Sequence, residues 1–471
     1  MNVFTNPRQR LMYTTTKHIS DESSSLVPTS YAVTKSFIRD RSARIGVVGL
    51  GYSGLRLAIL FSDSGYAVDG FEFDVVKAKK LQARQSYLSR ISSEEISHAL
   101  DRGFRVTTDL AHLSETDVII ICTSERFDNH QAPTLMEMRE ASFNIASNLH
   151  AGHLVIVENS SYPGCTEEVI APILEGANSQ HLRISRNTAA PDEIFVGISP
   201  DRADPENTAI DQRDIPKVVA GIDRFGAELT AILYANVFRK VISVSSAPVA
   251  ELSRLLENTY RSVNAALANE LKQICLRMGV DPWEVISAAS SKPFDFQPFY
   301  PTPGFTDPAI LSDSLSLAWK AKAYGVRARL VEVATEINAG MPEFIVRCTS
   351  EALNRIRTPL KGSRILLLGA DRELDVDCVR DSPSLAIIEL LRRAGAQVSY
   401  HSPSQPKLNR GPHRNRGMAA LSNDEISGCD AVVIAADHSS YDYPQILSQA
   451  KLVIDTRNAT RGLTSEKIVR C

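Results

Sequence analysis

The sequence predicts an α/β chain made of two doubly wound domains joined by a long central helix, with a small all-helical region beside that helix. Three observations carry this. Apolar strand-like runs alternate with helical periods through the first half, the same alternation restarts after Gly362, and one long amphipathic stretch separates them. At roughly 150 residues per domain, 471 residues predict about three domains. Hydrophobic residues at 43% and charged residues at 23% exclude disorder of the whole chain. With 52 Lys and Arg against 55 Asp and Glu, the net charge of -3 lacks the basic footprint of a nucleic-acid binder. No apolar run reaches the roughly 18 residues of a membrane span. The seven cysteines are scattered and form no CxxC pair, which argues for a reduced, cytoplasmic setting and against a disulfide framework or metal site.

Residues 1–42 read as a flexible amino-terminal arm rich in Ser, Thr and Arg, as in Thr14-Thr15-Thr16 and Ser23-Ser24-Ser25. Arg8, Arg10 and Lys17 precede the first acid, Asp21, a composition shared by transit peptides and by untargeted tails. No apolar segment of a secretory signal is present.

Residues 44–48 then form a strand-like run, followed by Gly49-Leu50-Gly51-Tyr52-Ser53-Gly54, a G-x-G-x-x-G loop. A helical stretch from Leu55 to Phe61 and a second strand from Ala67 to Phe73 follow, with Glu72 and Asp74 at that strand's end. The first glycine serves the tight turn, the second lets backbone approach a pyrophosphate, and the third lets helix and strand pack closely. The helix N-terminus faces the phosphates. An acid at Glu72 suits free ribose hydroxyls and repels a 2'-phosphate, favouring NAD over NADP. Further strands end at Thr123-Ser124 and at Glu158-Asn159-Ser160-Ser161. Ligands in such folds sit at the carboxyl ends of strands, so Ser160 and Ser161 are candidate site hydroxyls, or else turn and cap residues.

Pro248 to Met278 reads as one helix, with Leu252, Leu255, Leu256, Val263, Ala266, Leu267, Leu271 and Cys275 at three- and four-residue spacing. Gly279 is its expected cap. After Gly362, strands are expected at Arg364–Leu368, Gln397–His401, Ala431–Ala435 and Leu452–Ile454, with a helix from Pro383 to Ala394. This second Rossmann-like unit has no G-x-G-x-x-G, which argues against a second dinucleotide. Asp437, His438, Arg457 and Asn458 fall at its strand ends; His438 is either an acid–base group or a hydrogen-bonded histidine at a helix start.

From about residue 43 to 471 the chain resembles the UDP-glucose/GDP-mannose dehydrogenase family, in wording nearest its UDP-N-acetylhexosamine 6-dehydrogenase branch. The glycine loop with Leu55, Tyr162-Pro163-Gly164, Ser199-Pro200-Asp201-Arg202, Leu255-Leu256-Glu257-Asn258, Asn269-Glu270-Leu271 and Leu317-Ala318-Trp319-Lys320 are similar to family segments. So are Asp375 through Arg380 with Ser382-Pro383, and Asp455-Thr456-Arg457-Asn458-Ala459-Thr460-Arg461-Gly462. The resemblance implies an NAD-binding domain at 43–245, a central helical dimerisation domain at 246–345 and a UDP-sugar-binding domain at 346–471. It implies cofactor contacts at Gly49, Gly51, Tyr52, Ser53, Gly54, Glu72, Ser124 and Ser160. It implies catalytic positions at Ser160, Asp201, Arg254, Asn258 and Asp313, and a homodimer. The chemistry implied is oxidation of a sugar C6 alcohol by two hydride transfers, with a cysteine trapping the aldehyde between them.

Several reactive positions depart from that pattern. The family loop Pro-Gly-Pro-Gly-x-Gly-Gly-His-Cys-Ile-Pro-x-Asp is here Pro301 through Asp313, and Ala309 takes the cysteine's place. A methyl group cannot attack an aldehyde. Two loop glycines become Thr306 and Asp307, which removes backbone freedom. The family lysine is Arg254, which can donate to an oxyanion but cannot act as a base. Ser160 replaces a threonine and Asp201 a glutamate, Ser124-Glu125-Arg126 replaces Pro-Thr-Pro, and Arg372-Glu373-Leu374 replaces Tyr-Lys-Lys. Cys275 is no substitute nucleophile, since it lies at a core spacing. Three functions are compatible with this pattern: an oxidoreductase that makes one hydride transfer, a non-catalytic subunit that pairs with an active paralogue, or acid formation through a hydrated aldehyde.

Overall fold

A computed structural model describes residues 29–88, 90–123, 133–159, 161–188, 190–203, 210–305, 308–369, 383–403, 417–418 and 421–471. The first unit runs α1 (Thr29–Asp40), β1 (Arg44–Val48), α2 (Tyr52–Asp63), β2 (Ala67–Phe71), α3 (Val75–Gln82), α4 (Ser93–Asp101), β3 (Arg105–Thr107), β4 (Val118–Ile121) and α5 (Met136–Ala146). It continues with β5 (Leu154–Val157), α6 (Ala171–Gly176), β6 (Arg183–Ile184), β7 (Glu193–Ile198), β8 (Lys217–Gly221), α7 (Arg224–Ala235) and β9 (Val241–Ser243). Its strands lie in the order β3-β2-β1-β4-β5-β7-β8-β9, with β6 paired to β7. All described pairings are parallel except β7 with β8. Strands β4, β5 and β7 are buried along their whole length. That burial is why they read as unbroken apolar runs rather than as alternating ones.

The centre is helical: α8 (Ala247–Met278), α9 (Pro282–Ala289), α10 (Pro308–Ala323), α11 (Arg329–Ala339) and α12 (Met341–Arg355). The second sheet unit comprises β10 (Arg364–Leu368), α13 (Pro383–Arg393), β11 (Gln397–His401), β12 (Gly417–Met418), α14 (Asn423–Gly428), β13 (Ala431–Ile434), α15 (Tyr443–Gln449), β14 (Val453–Asp455) and β15 (Ile468–Arg470). Its order is β12-β11-β10-β13-β14-β15, with every described pairing parallel. The central helix is continuous over 32 residues and ends at Gly279, whose φ of 71° is the left-handed cap conformation. No helix among the described residues is long and apolar enough to cross a membrane.

One expectation is corrected. The arm does not extend to residue 42 as a flexible segment, because Thr29–Asp40 is helical and packed. Tyr31 and Ile38 are buried in the core of the first unit. Lys35 Nζ and the Tyr31 hydroxyl both donate to the Glu228 carboxylate on α7, and the Thr34 hydroxyl donates to the Gly152 carbonyl at 2.7 Å. The polar composition concealed a helix with one apolar face, supported by tertiary contacts rather than by propensity.

Beneath the sheet, His150 and His153 stack with ring centroids 3.6 Å apart. His153 is fully buried, and burial together with the neighbouring His150 pushes its imidazole down to about 3. The unfolded chain takes up this proton near pH 6.5 and the folded one does not. Stability therefore falls as pH drops from about 6.5 toward 3, by up to about 1.4 kcal/mol per pH unit. Melting curves between about pH 7.5 and 5 should show that loss, and His153→Gln should flatten it; parallel profiles for the two proteins would refute the assignment.

Candidate active site

The glycine loop lies between β1 and α2, at the carboxyl edge of the first sheet. Each glycine has a different physical reason. Gly49 has a φ of 92°, and a Cβ there would lie 2.5 Å from the Cys122 carbonyl oxygen. A Cβ on Gly54 would lie 2.0 Å from the Gly49 carbonyl oxygen. A Cβ on Gly51 would meet nothing within 4 Å, so the protein's own packing does not require glycine there. Open space above Gly51, at the N-terminus of α2, is the cradle that a pyrophosphate needs.

Glu72 stands at the end of β2 and is buried. Its carboxylate accepts from the Leu50 amide at 3.2 Å and the Asp74 amide at 3.0 Å, so it braces the loop. Tyr87, which the sequence reading passed over, donates its hydroxyl to the Leu50 carbonyl. Ser53 donates to the Asp201 carboxylate, so Asp201 is tied to the dinucleotide loop. Ser124 and Ser160 lie outside the described residues, as do Thr306, Asp307, Arg372-Glu373-Leu374, Asp375 through Arg380 and Ser382.

A buried polar stack supports this edge. The Asp201 amide donates to the Glu158 carbonyl at 2.9 Å. The Glu158 carboxylate receives Lys217 Nζ at 2.7 and 2.8 Å and the Tyr234 hydroxyl at 2.7 Å. Burial pushes the Glu158 carboxyl above its ordinary range, and the Lys217 ammonium opposes that shift. Nothing in the sequence pairs these groups, which lie on different strands and a helix.

The retained polar groups of the long helix converge on α10. Asp313 is buried, and its Oδ2 accepts from Asn258 Nδ2 at 2.5 Å and Arg254 Nε at 3.3 Å. Arg254 Nη1 also reaches Asn159 Oδ1 at 3.5 Å. Ala309 sits in the first turn of α10, four residues before Asp313 and hence on the same helix face. The loop leading there is anchored from both sides. The Thr302 amide donates to Asn269 Oδ1 at 2.8 Å, and Asn269 Nδ2 donates to Asn338 Oδ1 at 2.9 Å. Gly304 has a φ of 138°, and a Cβ on it would lie 3.1 Å from the Pro383 Cβ, where the second sheet unit begins to close over the loop.

Other signature segments also meet. Glu251 accepts from the Gly164 amide at 2.5 Å, the Thr166 amide at 3.0 Å and the Thr166 hydroxyl at 2.7 Å. Lys320 Nζ reaches both Glu168 carboxylate oxygens at 2.7 Å and lies 4.5 Å from the centre of the Tyr162 ring. In the second unit Asp455 is turned inward, accepting from the amides of Arg457, Ala459 and Thr460. It shapes the Asp-Thr-Arg-Asn loop from within. Asp437 accepts the Tyr443 hydroxyl and pairs with Arg461, while the His438 amide donates to the Tyr443 hydroxyl. His438 precedes α15 in a loop, and Cys275 is core.

A glycine loop with open backbone on one parallel sheet, a buried Asp313–Asn258–Arg254 cluster on the central helices and a second parallel sheet define a two-domain nucleotide-binding α/β class. The chain belongs to the UDP-glucose/GDP-mannose dehydrogenase family: the family's NAD binding domain matches residues 43–239, its central domain 248–340 and its UDP binding domain 366–462. NAD is its cofactor. It is 29% identical over 405 residues to the UDP-N-acetyl-D-glucosamine 6-dehydrogenase of Pseudomonas aeruginosa, covering 85% of this chain and 92% of the relative. It is also 29% identical over 426 residues to the UDP-N-acetyl-D-mannosamine dehydrogenase of Pyrococcus horikoshii, covering 88% and 95%. A solved UDP-D-ManNAc dehydrogenase structure from Pyrococcus horikoshii superposes with a TM-score of 0.78 at 27% identity, covering 90% of this chain and 97% of that one.

Two glycine substitutions separate packing from ligand approach. Gly51→Ala should leave stability within about 1 kcal/mol while weakening NAD binding at least about tenfold by calorimetry. Gly54→Ala should destabilise the fold by about 1–3 kcal/mol in urea denaturation. Equal NAD affinity in wild type and Gly51→Ala would show that the cofactor does not approach this backbone.

Proposed function

We propose that the chain binds NAD and a UDP-N-acetylhexosamine and oxidises the sugar's C6 alcohol by one hydride transfer, releasing a carbonyl product instead of the uronic acid. The observation that carries this reading is Ala309 on the same face of α10 as Asp313, beside Asn258 and Arg254. The polar cluster is retained, and the group that would hold an aldehyde covalently is absent. Residues 43–245, 246–345 and 346–471 are assigned to the cofactor, central and UDP-sugar regions.

Bound NAD supplies the hydride acceptor, held by the Gly49–Gly54 loop and Glu72. The alcohol also loses a proton, and Asp313, or a water it orders, receives it. Arg254 cannot take that proton. Its guanidinium and the Asn258 amide donate to the oxygen that becomes the carbonyl, stabilising its developing charge. Asp201, fixed by Ser53, orders the cofactor edge of the cleft. Without a thiol no thioester forms, and the carbonyl product leaves after one turnover of NAD.

A second reading, a binding subunit that pairs with an active paralogue, is favoured by the saturation of Asp313 Oδ2, which accepts from Asn258 and Arg254 at once. Counting NADH formed per UDP-N-acetylhexosamine consumed, with mass spectrometry of the sugar, separates the two. About one NADH per sugar supports the proposal, and about two would overturn it. None, with sugar binding confirmed, would establish the binding subunit. Ala309→Cys combined with Arg254→Lys should move the ratio toward two and yield acid.

A homodimer through α8 is also proposed. Leu252, Leu256, Tyr260, Leu267 and Ile274 are exposed along one face of that helix, a stripe wide enough to seat a second helix. Leu256→Asp with Leu267→Asp should give a monomer in sedimentation, and an unchanged dimer would place the interface elsewhere.

A further inference from the structure

The order of the first sheet reverses between β1 and β4, so the crevice at their carboxyl ends is where a ligand enters such a fold. Thr123 stands two residues past the end of β4, at that crevice. It is only 6% exposed, and its Oγ1 has no hydrogen-bond partner among the described residues. The backbone around it is well anchored. The Thr123 carbonyl accepts from Asn159 Nδ2 at 2.8 Å. A Cβ on Gly49 would lie 2.5 Å from the Cys122 carbonyl oxygen and 3.6 Å from the Thr123 amide nitrogen, so the glycine loop packs against this same segment.

A buried hydroxyl without a partner has given up water and gained nothing in exchange, and native folds leave few of them. The five residues before Thr123 are all apolar and buried. A valine would continue that run in the same shape without the penalty of a lone hydroxyl. An orphan at the ligand edge of the sheet therefore points to a partner that arrives with the ligand.

The surroundings say which part of the ligand. β2, with Glu72 just past its end, lies on the far side of β1 from Thr123, and an acid there belongs to the adenosine ribose. Gly51 and the start of α2 serve the pyrophosphate. On the other side, Asn159 joins the Thr123 carbonyl to Arg254, whose Nη1 is 3.5 Å from Asn159 Oδ1 and whose Nε is 3.3 Å from Asp313 Oδ2. Thr123 thus stands between the pyrophosphate cradle and the Arg254–Asp313 cluster, in the interval that the nicotinamide half of the cofactor must cross. We propose that Thr123 Oγ1 hydrogen-bonds a hydroxyl of the ribose on the nicotinamide side of NAD. An alcohol that both donates and accepts suits a ribose diol. Through Asn159 the same residue ties that ribose to Arg254, so cofactor and donor set share one frame. The inference rests on NAD as the cofactor and not on the number of hydride transfers.

Calorimetry on the full chain with NAD, ADP-ribose and ADP tests it, because ADP-ribose keeps the second ribose and ADP lacks it. Thr123→Val should weaken NAD and ADP-ribose alike, by about three- to tenfold, and leave ADP within about twofold. Without ligand, the same variant should melt no earlier than wild type, since it loses an unsatisfied hydroxyl. Thr123→Ser, which keeps the hydroxyl, should bind all three within about twofold of wild type. Unchanged NAD affinity in Thr123→Val would overturn the proposal, and an equal loss for ADP would move the contact to the adenosine or pyrophosphate side. Earlier melting of the ligand-free Thr123→Val chain would make the hydroxyl structural. A wild type that binds none of the three would overturn the cofactor assignment itself, and the proposal with it.

Discussion

One rigid helix must satisfy four partners at fixed intervals, and the rest of the molecule is arranged around that constraint. At 1.5 Å per residue, the stretch of α8 from Glu251 to Lys272 spans about 30 Å. Along it, Glu251 gathers the amides of Gly164 and Thr166, and Arg254 and Asn258 hold Asp313. Asn269 then fixes Thr302 and Asn338, and Lys272 reaches Thr456. The first belongs to the cofactor sheet, the next two to the central helices and the last to the second sheet. A kink in α8 would break several of these at once, because backbone hydrogen bonds leave the rod no compliant joint. The contacts of both sheet units with the centre are therefore set by the spacing of side chains on a single element.

The parts of this arrangement legible in the sequence are those whose physics is local. The glycine loop could be read because turn geometry and ligand approach each demand a residue without a side chain within six positions. The strands β4, β5 and β13 could be read because full burial writes an unbroken apolar run. The long helix could be read from its period and its glycine cap. What escaped was settled by contacts between distant residues. α1 carries a polar sequence, and only its seat against α7 shows that Tyr31 and Ile38 are core. The Glu158–Lys217–Tyr234 stack joins two strands and a helix, and no spacing rule announces it. The tie from Ser53 to Asp201 crosses 148 positions of sequence, so no local pattern shows that this acid has a partner on the loop.

Loss of a nucleophile need not loosen such a fold. The Pro301–Gly304 approach is held by Asn269 and leaves no room for a side chain at Gly304 beside Pro383, and neither depends on what stands at position 309. Ala309 begins a helix, where alanine is favourable and where a thiol would add reactivity more than packing. Stability and covalent chemistry therefore reside in different atoms here, and the scaffold can persist when the chemistry changes. Buried pairs such as Glu158 with Lys217 reinforce that persistence. Removing one partner strands a charge at a cost of about 3–5 kcal/mol, whereas the pair itself contributes little.

The exchange of lysine for Arg254 follows the same logic and narrows the chemistry further. An ammonium can give up its proton and rotate among partners, whereas a guanidinium keeps its charge and presents donors in a fixed plane. With one edge on Asp313 and another toward Asn159, that plane is already oriented. A carbonyl oxygen entering the cleft would meet a preformed donor set that needs no reorganisation, which is the condition for stabilising charge as an alcohol is oxidised. On that reading, the same rigidity works against the second half of a four-electron oxidation, where a proton must be removed from water and Arg254 cannot relay it. On the proposed reading, the residues kept suit a site that polarises a carbonyl, and the residues changed are those that would carry it on to an acid.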